Sequence, residues 1–385
     1  MSETLLARRF DTAQPVRLTL SGASLTKIEP ADSAPDNVWL APALFDPQVN
    51  GYAGVDFQQD VLTEDVLLKA ARGLHAAGCG QFFFTLCTDE IPKLTARLNH
   101  ARALRAKSKE LQSAIAGWHV EGPFLSPEPG YHGAHDPAKM LDPAPDRIRA
   151  LRAAAGDDPL LLTLAPERAG AIDAIALAVS LNIRISLGHT DASSEILAAA
   201  VKAGASGFTH LGNACPQKID RHNNILLRAI ETPSLHFSII PDTIHVSPPM
   251  FRLFHAGIAS QSTGTPPPIC YTTDAMSAAG EGPGRYRIGK IETEVGADKI
   301  VRMPGQTNFA GSALRPIDGV FLAARMLNCS WRETWARASV GTRKYAGLPT
   351  KQQTNAAFCV LTVDESNFRT GQIFANGEKF EITRG

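Results

Sequence analysis

Nothing in this sequence comes near a membrane span: no apolar run approaches the roughly 20 residues needed to cross a bilayer. An excess of one charge is missing too. The 38 Lys and Arg residues balance 38 Asp and Glu, and no basic block stands out. Neither nucleic acid nor an anionic membrane is therefore expected as a partner, whereas a small anionic substrate needs only one or two local charges. Disulfide patterning is absent. The six cysteines, Cys79, Cys87, Cys215, Cys270, Cys329 and Cys359, include no CxxC pair. Six in 385 residues point to reduced thiols in a cytosolic protein. Residues Met1 to Arg9 lack the basic-then-apolar order of a signal peptide, so a cytoplasmic location is expected. No G-x-G-x-x-G follows a strand-like run, which argues against a doubly wound dinucleotide-binding sheet.

What is present is a long alternation. Eight apolar, strand-like runs occur at 43–49, 81–86, 115–120, 160–165, 183–188, 206–210, 235–240 and 268–273. Ala- and Leu-rich stretches with helical spacing follow most of them, among them Glu64 to Ala77, Ile91 to Ala106, Ala169 to Ser180, Ser193 to Ala203 and Pro248 to Ala259. Eight βα units favour a (β/α)₈ TIM barrel, an α/β fold that needs about 250 residues. Residues 260–268 read as a loop. The two ends of the chain differ from the middle. Val16 to Leu20, Val38 to Leu40, Ala357 to Val363, Gln372 to Phe374 and Lys379 to Ile382 are β-like, and Asn376-Gly377 is a hairpin signal. Termini often lie close together, so both ends are expected to share one small sheet.

In such a barrel, chemistry gathers at the C-terminal ends of the strands. Strand 3 ends in His119-Val120-Glu121, strand 5 in Gly188-His189-Thr190, strand 6 in Thr209-His210-Leu211 and strand 8 in Thr273-Asp274-Ala275. Four strands thus deliver a Glu, two His and an Asp to one rim. Glu121, His189 and His210 form a donor set for one divalent metal ion, with an open position for water. Zinc and iron(II) both accept such ligands. A bound cation lowers the pKa of its water to about 7, and Asp274 would act as general base and then return the proton to a leaving nitrogen. Asp191 has two readings, orienting His189 or capping the helix that begins near Ser193. Cys215 draws attention through its closeness to His210.

These motifs together resemble the N-acetylglucosamine-6-phosphate deacetylase family of the amidohydrolase superfamily. The matching phrases are Pro42-Ala43-Leu44-Phe45-Asp46-Pro47-Gln48-Val49-Asn50-Gly51, His119-Val120-Glu121-Gly122-Pro123-Phe124 with Gly133-Ala134-His135, Ser186-Leu187-Gly188-His189-Thr190, Thr209-His210-Leu211, Thr273-Asp274-Ala275 and Phe309-Ala310-Gly311-Ser312. The resemblance implies a barrel over 43–344 and a small β-sandwich from 1–42 with 345–385. It implies metal binding by Glu121, His189 and His210, catalysis by Asp274, and a His245 that binds substrate and polarises the acetyl carbonyl. It also implies substrate contacts from His135, Asn213 and Ala214, and an Arg221 that reaches the sugar phosphate across a homodimer interface. Zinc is the expected ion. Many amidohydrolases carry His-x-His after strand 1; Asp46-Pro47-Gln48 stands there in this chain, which predicts one metal rather than two.

The sequence also departs from the family pattern. Gly212 stands where an aromatic is usual, Asp242-Thr243-Ile244-His245 replaces Asp-Gly-x-His, and His222-Asn223-Asn224 follows Arg221 in place of a Pro-Gly type turn. All three lie on the sugar and phosphate side. They motivate an alternative substrate, a non-phosphorylated N-acyl amine or a cyclic amide. A non-catalytic scaffold is disfavoured, because the ligands and the aspartate are all retained.

Overall fold

The computed structural model describes residues 2–382 apart from 263, 265, 306–308, 351–356 and 366. Residues 263 and 265 of the expected loop, and 351–356 and 383–385 of the expected C-terminal segment, lie outside the described residues.

Eight parallel strands form one sheet in chain order: Leu44–Val49, Cys79–Cys87, Ile115–Glu121, Leu160–Leu164, Ile183–Leu187, Gly207–Phe208, His236–Ile239 and Ile269–Tyr271. They are called barrel strands one to eight below. Strand one is buried throughout and so is strand four; strands covered on both faces read as continuous apolar runs. The ends of the sheet meet. Val49 bridges Ala275 in parallel, and the Asn50 amide donates to the Ala275 carbonyl at 2.7 Å. The buried Asp46 carboxylate stitches the same seam, accepting from the Thr272 hydroxyl at 2.7 Å and from the Thr273 amide and hydroxyl at 3.1 and 2.5 Å. This is the (β/α)₈ barrel expected from the alternation.

The helices form for local reasons. Glu64–His75 buries Leu67, Ala70, Ala71 and Leu74, a one-sided helical spacing, and Thr63 caps its start by accepting from the Val66 amide. Ser194–Ala203 is capped by Ser193 and stopped by Gly204 at φ 111°. Asp191 therefore caps nothing. Pro248 starts a helix that runs to Gln261, into the stretch expected as loop.

Both termini build one seven-stranded sheet, the β-sandwich module of the chain. Its junction is the antiparallel pairing of Val38–Pro42 with Phe358–Asp364. It has a separate cluster of Ala7, Val16, Leu18, Leu20, Leu40, Phe358 and Phe374. Trp335 fastens this sheet to the barrel by donating from its indole nitrogen to the Pro42 carbonyl at 2.9 Å, and Trp39 packs edge-on against Trp331. A third, small sheet of Gly284–Ile288, Ile291–Val295 and Val301–Arg302 follows strand eight. Its mix of exposed, half-buried and buried residues gave no strong signal in the sequence. Asp56 tethers it by accepting from the Gly289 amide at 2.7 Å. No described helix is long and apolar enough to cross a membrane.

Candidate metal and amide-hydrolysis site

Glu121 is the last residue of strand three, His189 follows strand five and His210 follows strand six. Their ligand atoms lie within 4.8 Å of one another, and all three residues are buried. One oxygen does most of the work: Glu121 Oε1 is 2.9 Å from His210 Nε2 and 3.3 Å from His189 Nε2. Backbone geometry marks the same places. His189, His210 and Asp274 have φ of 52°, 33° and 51°. Such conformations cost non-glycine residues about 1–3 kcal/mol each and gather at functional sites. They turn each side chain off its strand end and over the barrel mouth.

The ring of His189 is fixed by its other nitrogen, since Nδ1 donates to the Tyr131 carbonyl at 2.8 Å. That leaves an acceptor lone pair on Nε2. Nε2 is buried, has no hydrogen-bond partner and faces a carboxylate oxygen. Two acceptors aimed at each other in a dry site are stable with a cation between them, so the residues present fit a divalent metal. Gly133 permits this close approach: a Cβ there would sit 3.1 Å from His189 Cε1. Electrostatics agree. Burial works to raise the Glu121 pKa, yet the three imidazoles packed against it, His135, His189 and His210, outweigh it and hold the carboxyl well below its ordinary value. Burial pushes His189 down to about 4, whereas the Glu121 carboxylate more than offsets burial at His210, whose pKa is raised.

Asp274 stands beside the cluster. Asn50 Nδ2 donates to its Oδ1 at 2.7 Å, and Gln48 Nε2 donates both to that oxygen and to Glu121 Oε1, each at 3.0 Å. Burial, then the Glu121 charge, pushes Asp274 up to about 6. Gln48 and Asn50 escaped the sequence reading, which took Gln48 only as a missing metal ligand. Their only signal was position, at the end of strand one; the residue types carried none.

His245 is held by Asp242. Its Nδ1 and the carboxylate Oδ2 are 2.5 Å apart, while Oδ1 accepts from the Ile244 and His245 amides at 2.8 Å each. Phe309, partly exposed, lies with its ring centre 5.2 Å from that of His245. His135 enters from the loop after strand three. Its Nδ1 pairs with the Thr88 hydroxyl at 2.8 Å and its Nε2 is 3.4 Å from Glu121 Oε2. His119 points into the barrel, bonded to Thr163 Oγ1 at 2.8 Å, and begins a buried layer of Thr163, Thr209, Ser186 and Tyr345 hydroxyls beneath the ligands.

The remaining expected contacts are not drawn into this cluster. Asn213, half-buried, donates to the His210 carbonyl at 3.2 Å, Ala214 takes a φ of 51°, and Arg221 is exposed on the loop that follows. Asp191 neither orients His189 nor caps a helix; it pairs with Arg228. Cys215 is half-buried and joins no metal-binding set among the described residues. Gly212 explains itself, because at φ 100° a Cβ would sit 2.8 Å from the Phe254 ring and 3.0 Å from Val246. An aromatic could not be placed there.

No protein-family model matches the chain. It is 32% identical over 341 residues to the N-acetylglucosamine-6-phosphate deacetylase of Bos taurus, covering 84% of this chain and 79% of the relative. It is 29% identical over 320 residues to that of Vibrio furnissii, covering 83% and 76%. Among solved structures, the N-acetyl-D-glucosamine-6-phosphate deacetylase of Mycobacterium smegmatis superposes with a TM-score of 0.83 at 26% identity, over 98% of this chain and 99% of that one. A mutant of that enzyme has been solved in complex with N-acetyl-D-glucosamine-6-phosphate.

Proposed function

The chain belongs to the N-acetylglucosamine-6-phosphate deacetylase family, and from that premise we propose that it hydrolyses the N-acetyl amide of N-acetylglucosamine-6-phosphate to acetate and the amino-sugar phosphate. The observation that carries the reading is the convergence of Glu121, His189 and His210, two of them in left-handed backbone, beside a half-buried Asp274.

Glu121 Oε1, His189 Nε2 and His210 Nε2 would hold one catalytic divalent ion, for which zinc is proposed and iron(II) is the alternative the donors tolerate. Such an ion, when bound, supplies Lewis acidity toward water and a carbonyl oxygen. The rest is the work of side chains. Asp274, aimed by Asn50 and Gln48, takes the proton of the attacking water and hands it to the amide nitrogen as the C–N bond breaks. Burial that raises its pKa makes it a better proton acceptor than an exposed aspartate. His245, locked on Asp242, offers Nε2 to the acetyl oxygen and, as imidazolium, donates to it as negative charge develops. His135 binds the substrate from the opposite loop.

Asn213, Ala214 and Arg221 are assigned to the sugar phosphate. The exposed Arg221 has no partner among the described residues, which suits a guanidinium reserved for a phosphate; a homodimer would bring it to the neighbouring site. Residues 43–344 would be the catalytic barrel, with 1–42 and 345–385 as its support. Six free thiols suit the cytoplasm proposed as its location. Acetate release from N-acetylglucosamine-6-phosphate, by protein of known metal content with and without a chelator, tests the reading. Chelator-sensitive release is expected. Metal-loaded protein that releases none would send the search to other amides.

A further inference from the structure

Glu121 uses its two oxygens in different directions. Oε1 faces His189 and His210, while Oε2 turns toward His135 Nε2 at 3.4 Å. On that second side stands a residue with no part in the chemistry above. Cys87 is the last residue of strand two, and its Sγ, a Glu121 oxygen and a His135 ring nitrogen lie within 4.8 Å of one another. Asn50 adds a fourth donor. Its amide nitrogen is engaged by Asp274, which leaves its Oδ1 aimed at Cys87 Sγ, 3.2 Å away. The side chains of His135 and Glu121 are only 7% and 3% exposed, so these donors are held in place rather than swinging in solvent.

We propose that Cys87, Glu121 and His135, with the Asn50 carbonyl oxygen, form a second cation site that takes a borderline-soft divalent ion such as zinc or cadmium, and that filling it inhibits the enzyme. A thiolate, an imidazole and a carboxylate select such ions over magnesium or calcium. On coordination the thiol gives its proton to water and the sulfur binds as thiolate. Inhibition follows from what the ion takes away: His135 is withdrawn from substrate, and Asn50 is shared between the ion and Asp274. The site is not the one whose ligand Gln48 replaces, because Gln48 contacts Glu121 through Oε1. One tightly held catalytic ion and a second, weaker, inhibitory one are thus compatible. The inhibition rests on the proposed function, in the roles given there to Glu121, His135 and Asp274; the binding of the ion does not.

The test adds cadmium, and separately cobalt, to holoenzyme carrying its first equivalent of metal, while sulfur-to-metal charge-transfer absorption and acetate release are followed together. Wild-type protein is expected to take up a second equivalent with a thiolate band and a parallel loss of activity. Cys87→Ser should show no band, and its inhibition should need a cation concentration raised by more than the roughly 10–100-fold that even an outer-shell change costs. Saturation of the wild type without a thiolate band, or equal inhibition of Cys87→Ser, overturns the proposal. The band lost between wild type and Cys87→Ser reads this site apart from the other five thiols. A protein that fails to hold the first equivalent would instead count against the Glu121, His189 and His210 assignment.

Discussion

Glu121, His189 and His210 are 3%, 6% and 3% exposed, yet the loop that begins just after His210 runs out toward solvent and carries Arg221 to the surface. The two regions share a strand end and little else. In the first, most functional groups are aimed by another residue: Tyr131 orients His189, Asn50 and Gln48 orient Asp274, and Asp242 orients His245. In the second, Asp220 accepts from the His222 and Asn223 amides, and that local turn is most of its order. Bond-breaking demands groups fixed before substrate arrives. Holding a phosphate tolerates a charge that settles only when the ligand, or a second copy of the chain, is present.

The comparison can be broken by substitution. The largest effect is expected from His210→Ala: metal analysis should show loss of the stoichiometric ion, and acetate release should fall to background. Retention of both would dissolve the metal assignment. Asp274→Asn should keep the ion and lose roughly 10²–10⁴-fold in kcat, the range for a removed general acid–base; wild-type turnover would end its proposed role. His245→Asn should cost about 10²-fold, mainly in kcat, as removal of one oxyanion donor does, and a pure KM effect would demote it to binding. Arg221→Ala should behave differently in kind, raising KM about 10-fold for the phosphorylated sugar through one lost charge-assisted contact while kcat holds. An equal loss on unphosphorylated N-acetylglucosamine would show that the arginine does not read the phosphate. At the border between the regions, Gly212→Ala should leave metal content intact and lower stability by roughly 1–3 kcal/mol, the usual cost of overpacking. Thermal unfolding reads that change directly.

The same contrast explains what could be read from sequence. All eight barrel strands lie within a few residues of the expected runs, because a strand buried on both faces must be apolar from end to end. The Glu121, His189 and His210 cluster was legible because barrel chemistry sits where such runs stop. The small sheet over 284–302 was not, since Gly284–Ile288 is largely exposed and its alternation carries little hydrophobic contrast. Gln48 and Asn50 were missed for another reason. An amide that only aims a neighbour leaves no trace of that role in residue type. Asp191 misled because capping, metal support and ion pairing all call for an aspartate, and only the placement of Arg228 decides among them.

The pairing of Val38–Pro42 with Phe358–Asp364 has a consequence for how the molecule comes into being. At about 5–20 residues per second, the ribosome makes the first of these strands well before the second, on the order of 15–65 s earlier. Throughout that interval the strand has an unpaired edge, and for most of it the barrel seam is open too, until Thr272, Thr273 and Ala275 are made to meet Asp46 and Val49. A nascent chain in this state presents a ready template for stray β-pairing, and faster synthesis shortens the time that edge waits.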